Sequence, residues 1–260
     1  MKKLIVIILL IFPVRVYAAS ITFDGFTVAS FGKNFGDSGA FAGNFGVNFG
    51  GWFNLVDNST RSLMMGKLEK DTTGYWMFLN PGTGLVSIEG RDADYVFGCT
   101  GTTNVTSGWH HVAAAYVRAS RHNVTLWVDG VQECTKQAVF LPGVDLSTSN
   151  NASFTMGTAD GTGSYDLKGS AAHAYANAIG SAAAPISFIN QLMTVPDSHV
   201  GPSGTNRAYW PMMDINVAGS GTVFDASGNN FIGTIACLLC TTFYDEDGPN
   251  VGWGAVQPMQ

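Results

Sequence analysis

Apolar and polar residues alternate with a period of two through much of the chain. In Asn123-Val-Thr-Leu-Trp-Val-Asp129, Val124, Leu126 and Val128 fall on one face, and Thr125 and Trp127 on the other. That pattern predicts a strand with one face in a core. Asp129-Gly130 follows, a pair suited to a two-residue hairpin turn, and Val131 resumes the strand pattern. Trp109–Val117 is apolar on both faces after its histidines, which predicts a central strand covered on both sides. Further strands are predicted at Phe45–Leu55, Tyr75–Leu79, Leu85–Glu89, Phe154–Gly157 and Ala208–Met212. Turn signals such as Asn80-Pro81-Gly82 and Asp160-Gly161 separate several of them. Only Ser187–Met193 has helical periodicity, with Ser187 at the cap position and Phe188, Ile189 and Leu192 in one stripe. The Phe-Gly-rich stretch Phe31–Gly51 is read as strands and tight turns, because Phe recurs and few charges or prolines hold it open. Many short strands with regular turns predict an all-β, two-sheet antiparallel sandwich or jelly roll.

Composition agrees. Charged residues are 12% of the chain and Gly numbers 32, which suits strands and turns better than long amphipathic helices. At the start, Lys2 and Lys3 precede the apolar run Leu4–Phe12, then Pro13 and Val16-Tyr17-Ala18. This reads as a secretory signal peptide over residues 1–18. The run is too short for a membrane span, which takes about 20 apolar residues, so no stable span is expected after cleavage. Residues 19–240 read as one domain and 241–260 as a tail that can pack on it. The 13 basic residues less Lys2, Lys3 and Arg15 leave 10 against 19 acidic, a balance of −9. Such a surface repels phosphate backbones and argues against nucleic acid as a partner.

The cysteines are Cys99, Cys134, Cys237 and Cys240. Export to an oxidising compartment allows disulfides, and three pairings are open. The favoured set is Cys99–Cys134, flanking the hairpin, with a local Cys237–Cys240 link. A redox or zinc reading of Cys237-Leu-Leu-Cys240 lacks both a βαβ context and a second ligand pair.

Ser107-Gly-Trp-His-His-Val-Ala-Ala-Ala-Tyr116, followed by Asn123-Val-Thr-Leu-Trp-Val-Asp-Gly130, resembles the signature hairpin of laminin G-like domains in the concanavalin A-like superfamily. Asn48–Phe53, Leu63–Lys67, Phe154–Gly157, His173–Leu192, Ala208–Pro211, Asp225–Asn230 and Gly233-Thr234 resemble flanking pieces in the expected order. The resemblance covers about Phe23 to Ile235 and implies a jelly roll with one short helix. It does not fix a ligand, because such folds carry lectins, hydrolases and adhesion modules alike.

Glycoside hydrolases of this fold use alternating carboxylates on one strand, of the form Glu-x-Asp-x-x-Glu. No such run occurs. Glu69 and Asp71 read as a polar turn, and Asp92 with Asp94, and Asp245-Glu-Asp247, as loops. The chain is therefore read as not an enzyme. His110 and His111 are adjacent on a strand, so they face opposite ways and do not share an ion. Similarity to the calcium loops of pentraxins places Asp71 and Asp160 at ligand positions, with calcium as the candidate cofactor. Thr158 and Ala159 stand where longer oxygen ligands are expected, which weakens that match. Asn58, Asn104, Asn123 and Asn151 open glycosylation sequons that matter only in a eukaryotic secretory pathway.

The resulting expectation is a secreted or extracytoplasmic binding module for a glycan or cell-surface ligand, with Trp127 as a candidate stacking residue. The first alternative is a structural or adhesion protein of a cell surface or virion, for which self-association is the function. A glycoside hydrolase with an unfamiliar site is the second.

Overall fold

In the computed structural model, residues 20–24, 27–31, 45–56, 60–69, 73–92, 95–118, 122–137, 152–157, 166–179, 186–194, 207–211, 220–227 and 232–237 are described. They form β1 (Ile21–Asp24), β2 (Thr27–Ser30), β3 (Phe45–Leu55), β4 (Ser62–Glu69), β5 (Thr73–Leu79), β6 (Leu85–Asp92), β7 (Tyr95–Asn104) and β8 (Trp109–Arg118). There follow β9 (His122–Val128), β10 (Val131–Gln137), β11 (Phe154–Met156), β12 (Lys168–Ile179), α1 (Ile186–Thr194), β13 (Arg207–Trp210), β14 (Ser220–Val223) and β15 (Gly233–Cys237). Residues 1–18, expected to be a signal peptide, the expected tail 241–260 and most of the Phe-Gly tract lie outside the described residues.

The strands make two antiparallel sheets. The seven-stranded sheet runs β1-β12-β3-β8-β9-β10, with β13 also pairing β12. The eight-stranded sheet runs β14-β15-β2-β11-β4-β5-β6-β7. β5 and β6, and β9 and β10, pair as hairpins across short described turns, whereas β12 returns to lie beside both β1 and β3.

Alternation decides which side chains meet between the sheets. Val124, Leu126 and Val128 of β9 enter that core with Val112, Ala114 and Tyr116 of β8 and Phe49 and Phe53 of β3. The opposing sheet supplies Met65, Tyr75, Met77, Ile88 and Phe154. Tyr75 and Tyr116 stack across the gap at 5.2 Å between ring centres, and Phe49 meets Phe154 edge-on at 5.7 Å. Lys67 is also fully buried, on the register row of Tyr75 and Phe154; nothing in the alternation around it predicts a buried cation.

The expected turn between β9 and β10 is present. Asp129 (φ 49°) and Gly130 (φ 77°) both lie in the left-handed region, the requirement of a type I′ turn matched to strand twist. Asp129 Oδ1 accepts from the His111 backbone N–H at 2.9 Å, tying the turn to β8. At the far edge, Cys99 of β7 and Cys134 of β10 form the expected disulfide, with Cα atoms 6.1 Å apart. Beside it, Glu133 Oε2 accepts from the backbone N–H groups of Thr102, at 2.6 Å, and Thr103, at 3.1 Å. The β-bulge between Gln132 and Cys134 is where Glu133 sits.

Some boundaries differ from expectation. Glu69 ends β4, paired with Thr73, and Asp92 ends β6, paired with Tyr95. The ladders therefore run almost to the hairpin tips through residues expected in turns and loops. The sequence pattern predicts no strand at β1, β2, β7, β14 or β15, and β13 begins and ends earlier than Ala208–Met212.

Candidate functional site

The outer face of the seven-stranded sheet is built from one residue in two on each strand. Cross-strand register gives its rows. Asn177, Asn48, Ala115 and Thr125 form one, and Tyr209, Tyr175, Gly50, Ala113 and Trp127 the next. Ala172, Trp52 and His111 form a third, and Ser170, Asn54 and Trp109 the last. The face grades from buried to half-exposed along the strands: Asn48 is 0% exposed, whereas Trp52, Asn54 and Trp109 are all partly open.

Trp127, the stacking candidate, belongs to the covered part. It is 2% exposed and clusters with Ala113, Ala115, Val117, Tyr175, Tyr209 and Ile189 of α1. The alternation placed its indole on the correct face; the helix across that face removes it from solvent. No sugar ring stacks on it in this arrangement.

Beneath α1 runs a polar network. His173 Nδ1 and the Tyr209 hydroxyl are 2.7 Å apart, and the Tyr175 hydroxyl and His111 Nε2 are 3.3 Å apart. His173 sits in a β-bulge of β12 with φ 51°, a conformation uncommon for a side-chain-bearing residue. Burial holds both histidines neutral. It lowers His111 to about 3, opposed by the Asp129 carboxylate and aided by His173, and lowers His173 to about 4. Burial pushes the Tyr175 phenol far above its ordinary value. On the same face Asn48 Nδ2 and Oδ1, Asn177 Nδ2, Trp52 Nε1, Trp127 Nε1 and His111 Nδ1 are buried with no hydrogen-bond partner among the described residues. His110 faces the other way, its Nδ1 2.7 Å from Asp129 Oδ2, so the histidine pair is split between two faces as expected.

The outer face of the eight-stranded sheet carries a second cluster, absent from the sequence reading. Arg61 places its guanidinium 3.9 Å over the Phe78 ring and reaches Glu89 Oε2 at 3.5 Å. Arg91 lies 5.9 Å over Trp76, which pairs Glu89 in register. Burial raises the Glu89 carboxyl above the usual range, and Arg61 and then Arg91 oppose that shift. The only sequence signal is weak: 28 residues separate Arg61 from Glu89, and an isolated Glu in a strand announces no partner.

The other carboxylates with described side-chain bonds have structural tasks. Asp129 ties its turn to β8, Glu133 ties β10 to β7, and Asp225 accepts from the Tyr209 and Ser227 backbone N–H groups at 2.9 Å each. The last is the expected Asx turn. Asp71, Asp160 and Cys240 lie outside the described residues, and Cys237 ends β15. Among the described residues no group of three or more His, Cys, Asp or Glu could hold a metal ion.

No family model matches the chain, and no curated protein matches it in sequence. Solved structures do resemble it. A SAP-like pentraxin from Limulus polyphemus aligns over 87% of this chain and 98% of its own, at 9% identity and a TM-score of 0.48. Domains LG4-5 of the mouse laminin alpha1 chain align over 80% of this chain and 50% of their own, at 13% identity and a TM-score of 0.45. The CBM40 of the Ruminococcus gnavus IT-sialidase, bound to alpha2,3 sialyllactose, aligns over 66% and 95%, at 14% identity and a TM-score of 0.44. With two antiparallel sheets face to face, the Trp-His-His hairpin at the heart of one of them and, among the described residues, one short helix across its outer face, the chain has the two-sheet antiparallel sandwich architecture that its alternation predicts.

Proposed function

We propose that the protein is a non-catalytic, extracytoplasmic binding module for a glycan, such as one on a cell surface. One observation carries the reading: Trp52, Asn54 and Trp109 share the half-exposed end of one sheet face, in adjoining register rows. Indole faces stack on the C–H face of a pyranose, and an amide beside them exchanges hydrogen bonds with its hydroxyls. Trp52 is held against His111, ring centres 5.6 Å apart, so its orientation is set before a ligand arrives. The tasks of Asp129, Glu133 and Asp225 support binding over hydrolysis, which needs two carboxylates free to act across one bond. The Cys99–Cys134 disulfide supports an oxidising compartment.

The test is a glycan array with the secreted protein, with and without calcium, repeated with Trp52→Ala and Trp109→Ala. Saturable retention without release of reducing ends is expected, weakened at least about tenfold by either change. Retention unaffected by both changes removes this face as the platform. Turnover of a retained glycan removes the non-catalytic reading.

A further inference from the structure

On the outer face of the eight-stranded sheet, Arg61 and Glu89 are open to solvent and use little of their hydrogen-bonding capacity. Their side chains are 40% and 17% exposed. Their one contact, Arg61 Nη1 to Glu89 Oε2, is 3.5 Å long, whereas a closed charge-assisted pair settles at about 2.7–2.9 Å. Neither side chain has another hydrogen bond among the described residues. A guanidinium is a fork of N–H donors and a carboxylate accepts on both oxygens, so each group has most of its sites unfilled.

Both groups are nevertheless held in place. Arg61 lies 3.9 Å over the Phe78 ring, and Phe78 is buried with Leu63, Leu68 and Trp76. Stacking fixes the plane of the guanidinium and leaves its edge, which planar anions meet side-on, clear of the ring. Glu89 has Trp76 and Gly98 as its register partners. A Cβ at Gly98 would fall 2.7 Å from Glu89 Cγ. With glycine there, β7 brings no side chain to that row, and the half-exposed Gly98 is a shelf beside the carboxylate.

The two groups call for different partners. The guanidinium edge matches a carboxylate, and the Glu89 oxygens match hydroxyl donors. A uronic acid carries both on one rigid ring. Its carboxylate would share Arg61 with Glu89, and the positive field of Arg91, which also favours the ionised Glu89, offsets repulsion between the two carboxylates. An acidic peptide offers Arg61 its carboxylates but brings no ring of hydroxyls to Glu89.

We propose that Arg61 and Glu89 form a binding site for a uronic acid residue of a polysaccharide, Arg61 taking the ring carboxylate side-on and Glu89 accepting from the ring hydroxyls. The site lies on the sheet opposite the Trp52–Trp109 face and does not depend on it.

Isothermal titration of the full chain with oligogalacturonate, oligomannuronate and oligoglucuronate in calcium-free buffer tests this. The methyl ester of whichever uronate binds, and poly-L-glutamate, are the comparisons. Saturable binding of at least one uronate is expected, with its ester at least about tenfold weaker, because the ester keeps every hydroxyl and loses the charge. Arg61→Ala should weaken uronate binding at least about tenfold and Glu89→Gln at least about threefold, while Trp52→Ala binds like wild type. If Arg61→Ala does not fold, Arg61→Lys keeps the charge without the planar fork and should still bind several-fold more weakly. Uronate binding that is unchanged in both the Arg61 and the Glu89 variants overturns the site, and its loss in Trp52→Ala would then assign the sugar to the opposite face. Poly-L-glutamate binding as tightly as the uronate, with loss in the Arg61 variant and none in Glu89→Gln, makes an acidic peptide the partner and overturns the sugar. No binding of any uronate overturns the site, while retention on a neutral glycan that depends on Trp52 leaves the reading of the other face standing.

Discussion

The Tyr175 hydroxyl stands 3.3 Å from Nε2 of His111, across 64 residues of sequence. The two residues lie on β12 and β8, with β3 between them, so the phenol must pass over the intervening strand. It does so at Gly50, the register partner of both Tyr175 and Ala113. A Cβ there would lie 2.9 Å from the Tyr175 hydroxyl and 2.8 Å from Cα of Ala113, and closer still to the Val112 carbonyl. The missing side chain of one glycine therefore makes room for the polar layer beneath α1.

Gly50→Ala is accordingly expected to destabilise the fold by roughly 1–3 kcal/mol, the usual cost of forcing a methyl into a packed interior. Urea denaturation at neutral pH measures it, and tryptophan fluorescence gives a local report because Trp127 shares the cluster with Tyr175. A midpoint equal to wild type would show that Tyr175 swings aside at no cost.

Much of this arrangement was legible in the sequence, and the reason is local. The Val124/Leu126/Val128 face needs only the period of two. The Asp129-Gly130 turn needs only two residues that tolerate positive φ, and the Asx turn at Asp225 needs one short carboxylate. What escaped depends on the third layer and on distant partners. Alternation assigned Trp127 to the outer face but could not say that Ile189 lies against it. Glu89 gained its ion-pair partner Arg61 from just before β4, 28 residues away in sequence, and His173 entered the network through a bulge that breaks the alternation. The candidate platform was equally hidden, since Trp52 and Trp109 become neighbours only through the β3–β8 register.

The Cys99–Cys134 bridge closes a loop with a sequence separation of 35 at the edge where β7 meets β10. A loop of that size restricts the unfolded chain enough to be worth roughly 4 kcal/mol in the chain-entropy picture. Cys99→Ser/Cys134→Ser should lose much of that in urea denaturation. Glu133 should keep part of the edge in place, since it binds the Thr102 and Thr103 backbone N–H groups independently of the sulfurs. Adding Glu133→Gln to the double serine variant should therefore cost further stability. Non-reducing peptide mapping that finds Cys99 joined to another cysteine would refute the premise.

Glu89 and Arg61 should respond unequally to substitution. Burial outweighs both arginines and raises the Glu89 carboxyl, so its ionised form is less favoured in the folded than in the unfolded chain. Its contribution is greatest at low pH and fades as pH rises through the raised folded value. At pH 7, Glu89→Gln is expected to leave the urea midpoint unchanged or slightly higher. Arg61→Ala should lower it, because it uncovers Phe78 and leaves Glu89 with one cation fewer. A clear fall in Glu89→Gln would mean that the ion pair outweighs desolvation.

The buried histidines predict how the whole fold meets acid. His111 is lowered to about 3 and His173 to about 4, chiefly by burial, while both return to about 6.5 in the unfolded chain. Below 6.5 the unfolded chain binds protons that the folded chain refuses. Stability from these groups is therefore fully present above pH 6.5 and lost as pH falls from there toward the folded values. The slope approaches about 1.4 kcal/mol per pH unit for each histidine. Urea midpoints should be nearly flat from pH 8 to 7 and fall steeply from pH 6 to 5, in a range above the ordinary carboxylates. His111→Asn keeps a polar group near Tyr175 but cannot titrate, so it should remove about half of that slope even if it costs stability at pH 7. A wild-type curve that stays flat to pH 5 would mean that both rings take up protons in the folded state, and that the layer beneath α1 is open to water.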